Sequence, residues 1–570
     1  MENTYLISDF SENLKHIVDL LKIPESNVIS FVRKQNEKEF HEWLQDVFTK
    51  NDIKKIIMPI SLSNDIAYNT EGLLLGLHIR LNYQLSVDKR CIPIIYLSNF
   101  SIENIIKANN FDKDNNPQNL LFTKGVYFTS FDLDDIKKTI ENALPCSLEN
   151  YEQNLLPRLN IQRKATSGGH DIANAWGGYK LGLIIGVGDT IFNEEYASKY
   201  LKQLYAKYLI CKNEIFDHRK MIDLKQIKCF GKKVLFIDDK ADEGWGVLMK
   251  KVFNGAGKDF VCVDPSKYKT TDEHRSFSDF DGFYKECQSH IGKDWDLIII
   301  DLRLNPETED IDNKTISPTN LNGYKLINEF LNHNAGYQII VLTASNKIWN
   351  INAALDRGAY SYYIKESPDF NFPIKETQIQ FEDFKADVQR CFERGYLRDL
   401  YKEWYNAKSE DSNSDKDFIA ESAIALDIAW EQIKNEYLDF AFLTLFQSVE
   451  SIANKLYIVE QYEDYLDDVV TIDKTESNNF EWLLAYKEDH NNGSYFYSEK
   501  LYQNNKQKPT TLYKISCLFK IKYEKDDSFL KKIGSLNKIR NSIAHHGSKS
   551  FAEKENLIDL LQIIEELRSI

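Results

Sequence analysis

The sequence predicts a multidomain protein of mixed class: two α/β segments built on parallel sheets, the second doubly wound, joined to an all-α helical bundle at the carboxyl end. Three observations predict it. Short apolar runs of strand length alternate with helical patterns over the first 150 residues and again over 231–400. Such alternation implies parallel sheets. After residue 418 the pattern is almost wholly helical. The 570 residues, at roughly 150 per domain, suggest about three to four domains. The expected division is an α/β domain over 1–150, a helical hairpin over 151–230 and a second α/β domain over 231–400. A linker over 401–417, ending in the polar stretch SEDSNSDKD (409–417), and a helical domain over 418–570 complete it.

Composition narrows the class. Apolar residues make up 42% and charged residues 28%, which excludes a mostly disordered or collagen-like chain. The longest apolar runs, such as 181–187, fall far short of the roughly 20 residues that cross a bilayer, so no membrane association is expected. The opening MENTYLISDFSENLK has no basic segment followed by an apolar one, so no secretory signal is expected. The eight cysteines are scattered without a CxxC pair and read as reduced thiols of a cytoplasmic protein. The net charge of −16 repels nucleic acid overall. One segment differs: residues 501–550 hold 11 Lys+Arg against 3 Asp+Glu, a local balance of +8.

Taken in order, residues 1–50 read as helical, with Leu14, Ile17, Val18 and Leu21, then Phe40, Trp43, Leu44 and Val47, at helical spacing. IIMPISL (56–62), IPIIYLS (92–98) and GVYFTSF (125–131) read as strands, with helices at 70–81 and 132–144 between and after them. Residues 170–187 and 194–217 read as the two arms of a helical hairpin. The first α/β block also lines up with the second as a distant repeat. In that alignment Pro59, Ser98 and Thr129 stand where the second block has Asp301, Thr343 and Lys365.

The second block carries the clearest chemistry. KVLFIDD (233–239), FVCVD (260–264), DLIIID (296–301), QIIVLTAS (338–345) and YSYYIKES (360–367) read as five strands separated by helices. Functional residues of such a sheet gather at the carboxyl ends of its strands. Asp238, Asp239, Asp301, Thr343 and Lys365 all fall there. Three crowded carboxylates stay ionised together only beside a cation, and Mg²⁺ suits oxygen ligands. One carboxylate can then attack phosphorus, while a lysine neutralises the incoming charge.

Residues 231–400 resemble the receiver domain of bacterial response regulators, a flavodoxin-like fold, through Ile237-Asp238-Asp239, Ile300-Asp301, Leu342-Thr343-Ala344 and Ile364-Lys365 in the family's order. The resemblance implies that Asp301 is the phospho-acceptor and that Asp238, Asp239 and Asp301 hold Mg²⁺. It implies that Thr343 and Lys365 read the phosphoryl group and that Tyr362 is the switch aromatic. A histidine kinase or phosphotransfer protein of a two-component phosphorelay is the implied partner. Two departures stand out: Glu366 replaces the usual proline, and the loop 305–322 is long and polar. By the same resemblance the first block is a degenerate, pseudo-receiver-like domain. His170, at a helix start in GGHDIANAW (168–176), is a weaker phosphotransfer candidate that looks a little like a histidine-kinase H-box. No glycine-rich ATP-binding segment follows it, so autokinase activity is not expected.

The basic segment contains SLNKIRNSIAHHGSK (535–549), a helix whose buried face is expected to hold Leu536, Ile539, Ile543 and Ala544. Asn541 and His545 are four apart and share a face. Arg540 and His545 are five apart, about 140° around an ideal helix, so two copies facing each other in a homodimer would converge on one phosphate more naturally than one copy. A neutral imidazole can take a 2′-hydroxyl proton and a guanidinium can hold the phosphate, with no cofactor.

Residues 418–570 resemble the HEPN superfamily of helical nucleotide-binding domains, through Arg540-Asn541 followed by His545, with His546 as the alternative, and FAFLTLFQSVESIANKLY (440–457), which offers Glu450 as a polar companion. The resemblance implies an endoribonuclease acting on RNA, tRNA among the candidates, in a setting of phage defence or dormancy. The expected function is therefore metal-independent RNA cleavage controlled by a receiver. The alternative is a non-catalytic signalling adaptor whose helical domain dimerises or binds a partner.

Overall fold

A computed structural model describes residues 3–62, 70–107, 117–161, 169–187, 202–212, 226–305, 317–366, 374–409, 417–456, 523–546 and 552–568, less short breaks, with isolated segments between 458 and 519. The chain divides into two compact units. The first comprises Met1–His290, Leu297–Ile327 and Ile339–Gln389; the second comprises Ile291–Asp296, Asn328–Gln338 and Arg390–Ile570.

The first unit holds two five-stranded sheets. In the amino-terminal sheet β1 (Thr4–Ser8), β2 (Val28–Ser30), β3 (Lys55–Pro59), β4 (Ile94–Leu97) and β5 (Val126–Thr129) lie in the order β2-β1-β3-β4-β5. Every pair is parallel. Helices α1 (Glu12–Leu21), α2 (Glu37–Lys50), α3 (Glu71–Arg80) and α4 (Leu133–Asn142) are set between and after them. Ile17 and Leu21 of α1 and Ile136 and Ile140 of α4 pack on Leu6, Ile57 and Ile95 of the strands. The Asp132 carboxylate caps α4 by accepting from the Asp134 and Asp135 amides. The expectation that residues 1–50 are helical needs correction, because TYLIS and VIS form β1 and β2. All five β1 residues are buried, so the alternation that marks a half-exposed strand is missing.

Two helices follow, α5 (Gly169–Ile184) and α6 (Leu204–Lys212); residues 194–201 and 213–217 of the expected second arm lie outside the described residues. His170 falls in the first turn of α5, and its side chain lies outside the described residues.

The second sheet consists of β6 (Val234–Ile237), β7 (Phe260–Cys262), β8 (Leu297–Ile300), β9 (Ile339–Thr343) and β10 (Ser361–Ile364), ordered β10-β9-β8-β6-β7 and parallel throughout. Numbered within each sheet, both have the order 2-1-3-4-5. Helices α7 (Trp245–Val252), α8 (Phe280–Gln288), α9 (Asn322–His333), α10 (Ile348–Arg357) and α11 (Ile374–Glu393) alternate with the strands. The runs VLFI, LIII and IIVLT are buried end to end, as in a sheet covered on both faces.

The second unit is a helical bundle of α12 (Tyr396–Ser409), α13 (Asp417–Lys434), α14 (Leu438–Leu456), α15 (Asp527–His546) and α16 (Lys554–Arg568). Leu400, Trp404, Leu426, Trp430, Phe442, Phe446, Leu560 and Ile564 share its core. The Trp404 indole donates to the Leu426 carbonyl at 2.8 Å, and Arg568 reaches Ser422 Oγ at 2.6 Å. Two expectations are corrected. Residues 401–409 are not a linker, because α12 buries Leu397, Leu400, Tyr401 and Trp404 in this core. The sequence also reads 382–404 as a single helix, but α11 ends at Glu393 and α12 starts at Tyr396. The sequence reads as a polar loop around 487–511, but Ala485–Asp489 and Ser494–Ser498 pair as antiparallel strands, in keeping with the aromatic run Tyr495-Phe496-Tyr497. Among the described residues no helix is long and apolar enough to cross a membrane.

Candidate functional site

The carboxyl ends of β6, β8, β9 and β10 bring Asp238, Asp239, Asp301, Thr343 and Lys365 together. Asp238 is fully buried and the other four are at most 4% exposed. One carboxylate oxygen from each aspartate lies within 4.8 Å of the others. Lys365 Nζ bridges two of them, 2.6 Å from Asp238 Oδ2 and 2.8 Å from Asp301 Oδ2. The remaining Asp238 oxygen accepts from the Lys240 amide at 2.8 Å, and Asp301 Oδ1 from the Arg303 amide at 3.1 Å. Thr343 ends β9, and its carbonyl accepts from the Lys365 amide at 2.8 Å. Tyr362 lies on β10, two-fifths exposed.

Burial sets the electrostatics. It pushes the Asp238 carboxyl up to about 6, with Asp301 adding to the rise and Lys365 opposing it. Burial likewise raises Asp239 well above the usual carboxylate range, with Lys240 opposing and Asp238 and Asp301 adding. For Lys365, burial acts against the charge, but Asp238, Asp301 and Asp239 outweigh it and hold the ammonium above its ordinary value.

Apart from Glu366, sequence reasoning missed the residues around this set. The Trp245 ring lies 4.9 Å from Lys365 Nζ. Lys269 Nζ pairs with Asp242 at 2.9 Å and Glu243 at 3.6 Å, both side chains buried. Glu366, next to Lys365, forms a fully buried ion pair with Lys180 of α5. The acidic run Asp238-Asp239-Lys240-Ala241-Asp242-Glu243 was the available signal for Lys269; nothing local in sequence pointed to Lys180.

The amino-terminal domain repeats the frame with uncharged residues in place of Asp238, Asp301 and Lys365. A Cβ at Gly323 would overlap the Asp301 carbonyl oxygen, and a Cβ at Gly72 would overlap that of Pro59. The Gly323 amide donates to Leu302 O at 3.0 Å and the Gly72 amide to Ile60 O at 2.9 Å. Pro59 therefore stands where Asp301 does. Strand pairing then places Ser8 at the level of Asp238 and Ser98 at the level of Thr343. It puts Phe131 at the level of Lys365, two residues beyond the Thr129 that the sequence alignment chose. Pro59, Ser98 and Phe131 line one crevice of about 160 Å³ with Ser61, Thr70 and Phe100. Among the described residues, no carboxylate or amine lines it.

A second polar cluster lies in the helical unit. Arg540 Nη2 of α15 is 3.6 Å from Glu450 Oε1 of α14, and Arg540 Nη1 donates to Asn541 Oδ1 at 3.0 Å. Burial raises the Glu450 carboxyl, with Arg540 opposing. Asn541 and His545 are exposed on the same helix; the His546 side chain lies outside the described residues. Leu536 is buried and Ile539 and Ile543 pack partly against the core, but Ala544 is exposed, which corrects the expected apolar face. Of the basic segment 501–550, residues 501–522 lie almost entirely outside the described residues.

No curated protein matches this chain. Residues 1–129, which span the amino-terminal sheet, match the family model of the Inactive Receiver domain.

Proposed function

We propose that this protein is a phosphorylation-regulated endoribonuclease, in which the second α/β domain is an active receiver and the helical unit is a HEPN-type ribonuclease. The observation that carries the regulatory half is the buried Lys365 bridge between Asp238 and Asp301, beside Asp239 and Thr343. Asp301 is the nucleophile toward a phosphoryl group from a histidine kinase or phosphotransfer protein. Lys365 exchanges one of its carboxylate contacts for a phosphoryl oxygen, and the Thr343 hydroxyl is placed to take another. The oxygens of Asp238, Asp239 and Asp301 suit a hard divalent ion such as Mg²⁺, which when bound would offset the crowded negative charge.

The catalytic half rests on the Arg540–Glu450 contact. It fixes the guanidinium on α14 while leaving Asn541 and His545 exposed to an RNA or to a second copy of the chain. In this reading Arg540 holds the scissile phosphate and His545 takes the 2′-hydroxyl proton without a metal. A homodimer would supply the complementary pair, and His546 is the alternative base.

The adaptor reading, a helical unit that holds a partner, has one observation in its favour: Ile424, Ile428, Tyr437 and Phe440 are large apolar side chains left exposed on α13 and at the start of α14. One assay separates the two. Wild type and His545→Ala, each treated with acetyl phosphate and Mg²⁺ or left untreated, are incubated with total tRNA in EDTA. Cleavage by wild type alone is the expected result. Cleavage by neither protein in any state favours the adaptor, and equal cleavage by both removes His545 from the mechanism.

A further inference from the structure

The acidic pocket is buried, and among the described residues one helix packs against its lysine edge. Helix α5, outside both sheets, lies against the end of β10. A Cβ at Gly177 would overlap the carbonyl oxygen of Lys365 and come within 3.1 Å of Glu366 Cβ. Glu366, where a receiver usually has proline, forms an ion pair with Lys180 in which neither side chain is more than 2% exposed. Lys180 Nζ lies 5.3 Å from the Trp176 ring. One turn back, the Asn174 carbonyl accepts from the Trp245 indole at 3.2 Å, and that indole ring faces Lys365 Nζ. The helix thus grips the pocket lysine through its carbonyl, its neighbour and its aromatic support. It also touches the inactive receiver, where the Tyr179 ring lies 5.9 Å from that of Tyr83.

We propose that α5 is both the gate and the reader of the acidic pocket: phosphoryl transfer to Asp301 requires α5 to lift from Lys365 and Glu366, and the phosphorylated state is passed through this helix to the inactive receiver. The inference rests on the receiver reading above and adds its regulation. With all five pocket residues at most 4% exposed, no phosphodonor reaches Asp301 while α5 is seated. Once it is reached, an Asp301 carboxylate oxygen attacks the phosphorus of an acyl phosphate. The new O–P bond forms as the bond from phosphorus to the donor's acyl oxygen breaks, and the donor leaves as a carboxylate. No proton or electron is exchanged. The incoming charge draws Lys365 from Asp238, and because Gly177 leaves no slack above the Lys365 carbonyl, that shift reaches α5 directly. Lys180 and Glu366 act as positioning residues: while paired they seat the helix, and on lifting both gain water.

The test uses the full-length protein. Phosphorylated Asp301 is followed by mass spectrometry during incubation with acetyl phosphate and Mg²⁺, in wild type and in the double variant Lys180→Met with Glu366→Gln, which removes both buried charges together. Amide hydrogen exchange over 174–184 is measured in wild type with and without beryllium fluoride and Mg²⁺, and in Asp301→Asn. The expected result is phosphorylation roughly tenfold faster in the double variant, the shift of a gate eased by one order of magnitude. Exchange over α5 should rise with beryllium fluoride in wild type and stay unchanged in Asp301→Asn. If Asp301 is phosphorylated at equal rates in both proteins and α5 stays protected, the gate is overturned and the receiver reading stands. If Asp301 is never modified and beryllium fluoride changes nothing, the receiver reading itself falls and takes the gate with it. Should the double variant fail to fold, the wild-type exchange measurement decides alone.

Discussion

Lys365 Nζ sits 2.8 Å from Asp301 Oδ2 with both side chains buried, so one ammonium is shared between the proposed phospho-acceptor and Asp238. Removing one member of a buried ionic set leaves uncompensated charge. Lys365→Met should destabilise the first unit by about 3–5 kcal/mol without divalent ions. Mg²⁺ should recover part of that loss. Thermal unfolding with Mg²⁺ and with EDTA checks both; an unchanged melting temperature in EDTA would contradict the prediction.

The raised Asp238 carboxyl makes the response to Mg²⁺ depend on pH. A carboxyl whose folded value is about 6, against about 4 when unfolded, binds its proton more tightly in the folded state. Its contribution to stability is fully present below about pH 4 and is lost as pH rises through about 6. A divalent ion must displace that proton, so the Mg²⁺-induced rise in melting temperature should be larger near pH 7.5 than near pH 5. Equal rises at the two values would show that Asp238 takes no part in ion binding.

The two equivalent glycines give a matched pair of tests. Gly323→Ala and Gly72→Ala each push a methyl group into a strand-end carbonyl, and overpacking of this kind costs about 1–3 kcal/mol. Denaturant unfolding should show both variants destabilised to a similar degree, although among the described residues Gly323 adjoins a charged pocket and Gly72 an uncharged crevice. A neutral Gly72→Ala would break the structural equivalence of Pro59 and Asp301.

In the helical unit, stability and activity should separate. The Arg540–Glu450 pair is partly exposed, with the arginine side chain 37% accessible, so Arg540→Ala should change stability by no more than about 1 kcal/mol. RNA cleavage by the same variant should fall by roughly 100-fold or more. A large loss of stability would instead assign Arg540 to packing.

The second sheet was legible in the sequence because its strands are uninterrupted apolar runs ended by polar residues, and its five site residues come together as their strand-end positions required. β1 was not legible, because a five-residue strand buried on both faces has no alternation to betray it. Phe131 as the counterpart of Lys365 was hidden for another reason: gapless alignment of short apolar strands cannot fix register, whereas pairing to β4 does. The place of α12 in the bundle was masked by the polar stretch after it, which looked like the seam between domains. The contact between Lys180 and Glu366 joins positions 186 residues apart with no local pattern.

Two five-stranded sheets of the same strand order sit in one compact unit of one polypeptide. Two separate proteins carrying these halves would meet only as often as their abundance allowed, and would drift apart on dilution. Tethering makes the encounter a property of the molecule and fixes the ratio at one to one, because linked partners meet at an effective concentration set by the tether. Any signal exchanged between the halves should therefore have the same midpoint across roughly a hundredfold dilution. A midpoint that moves with protein concentration would place the exchange between molecules instead.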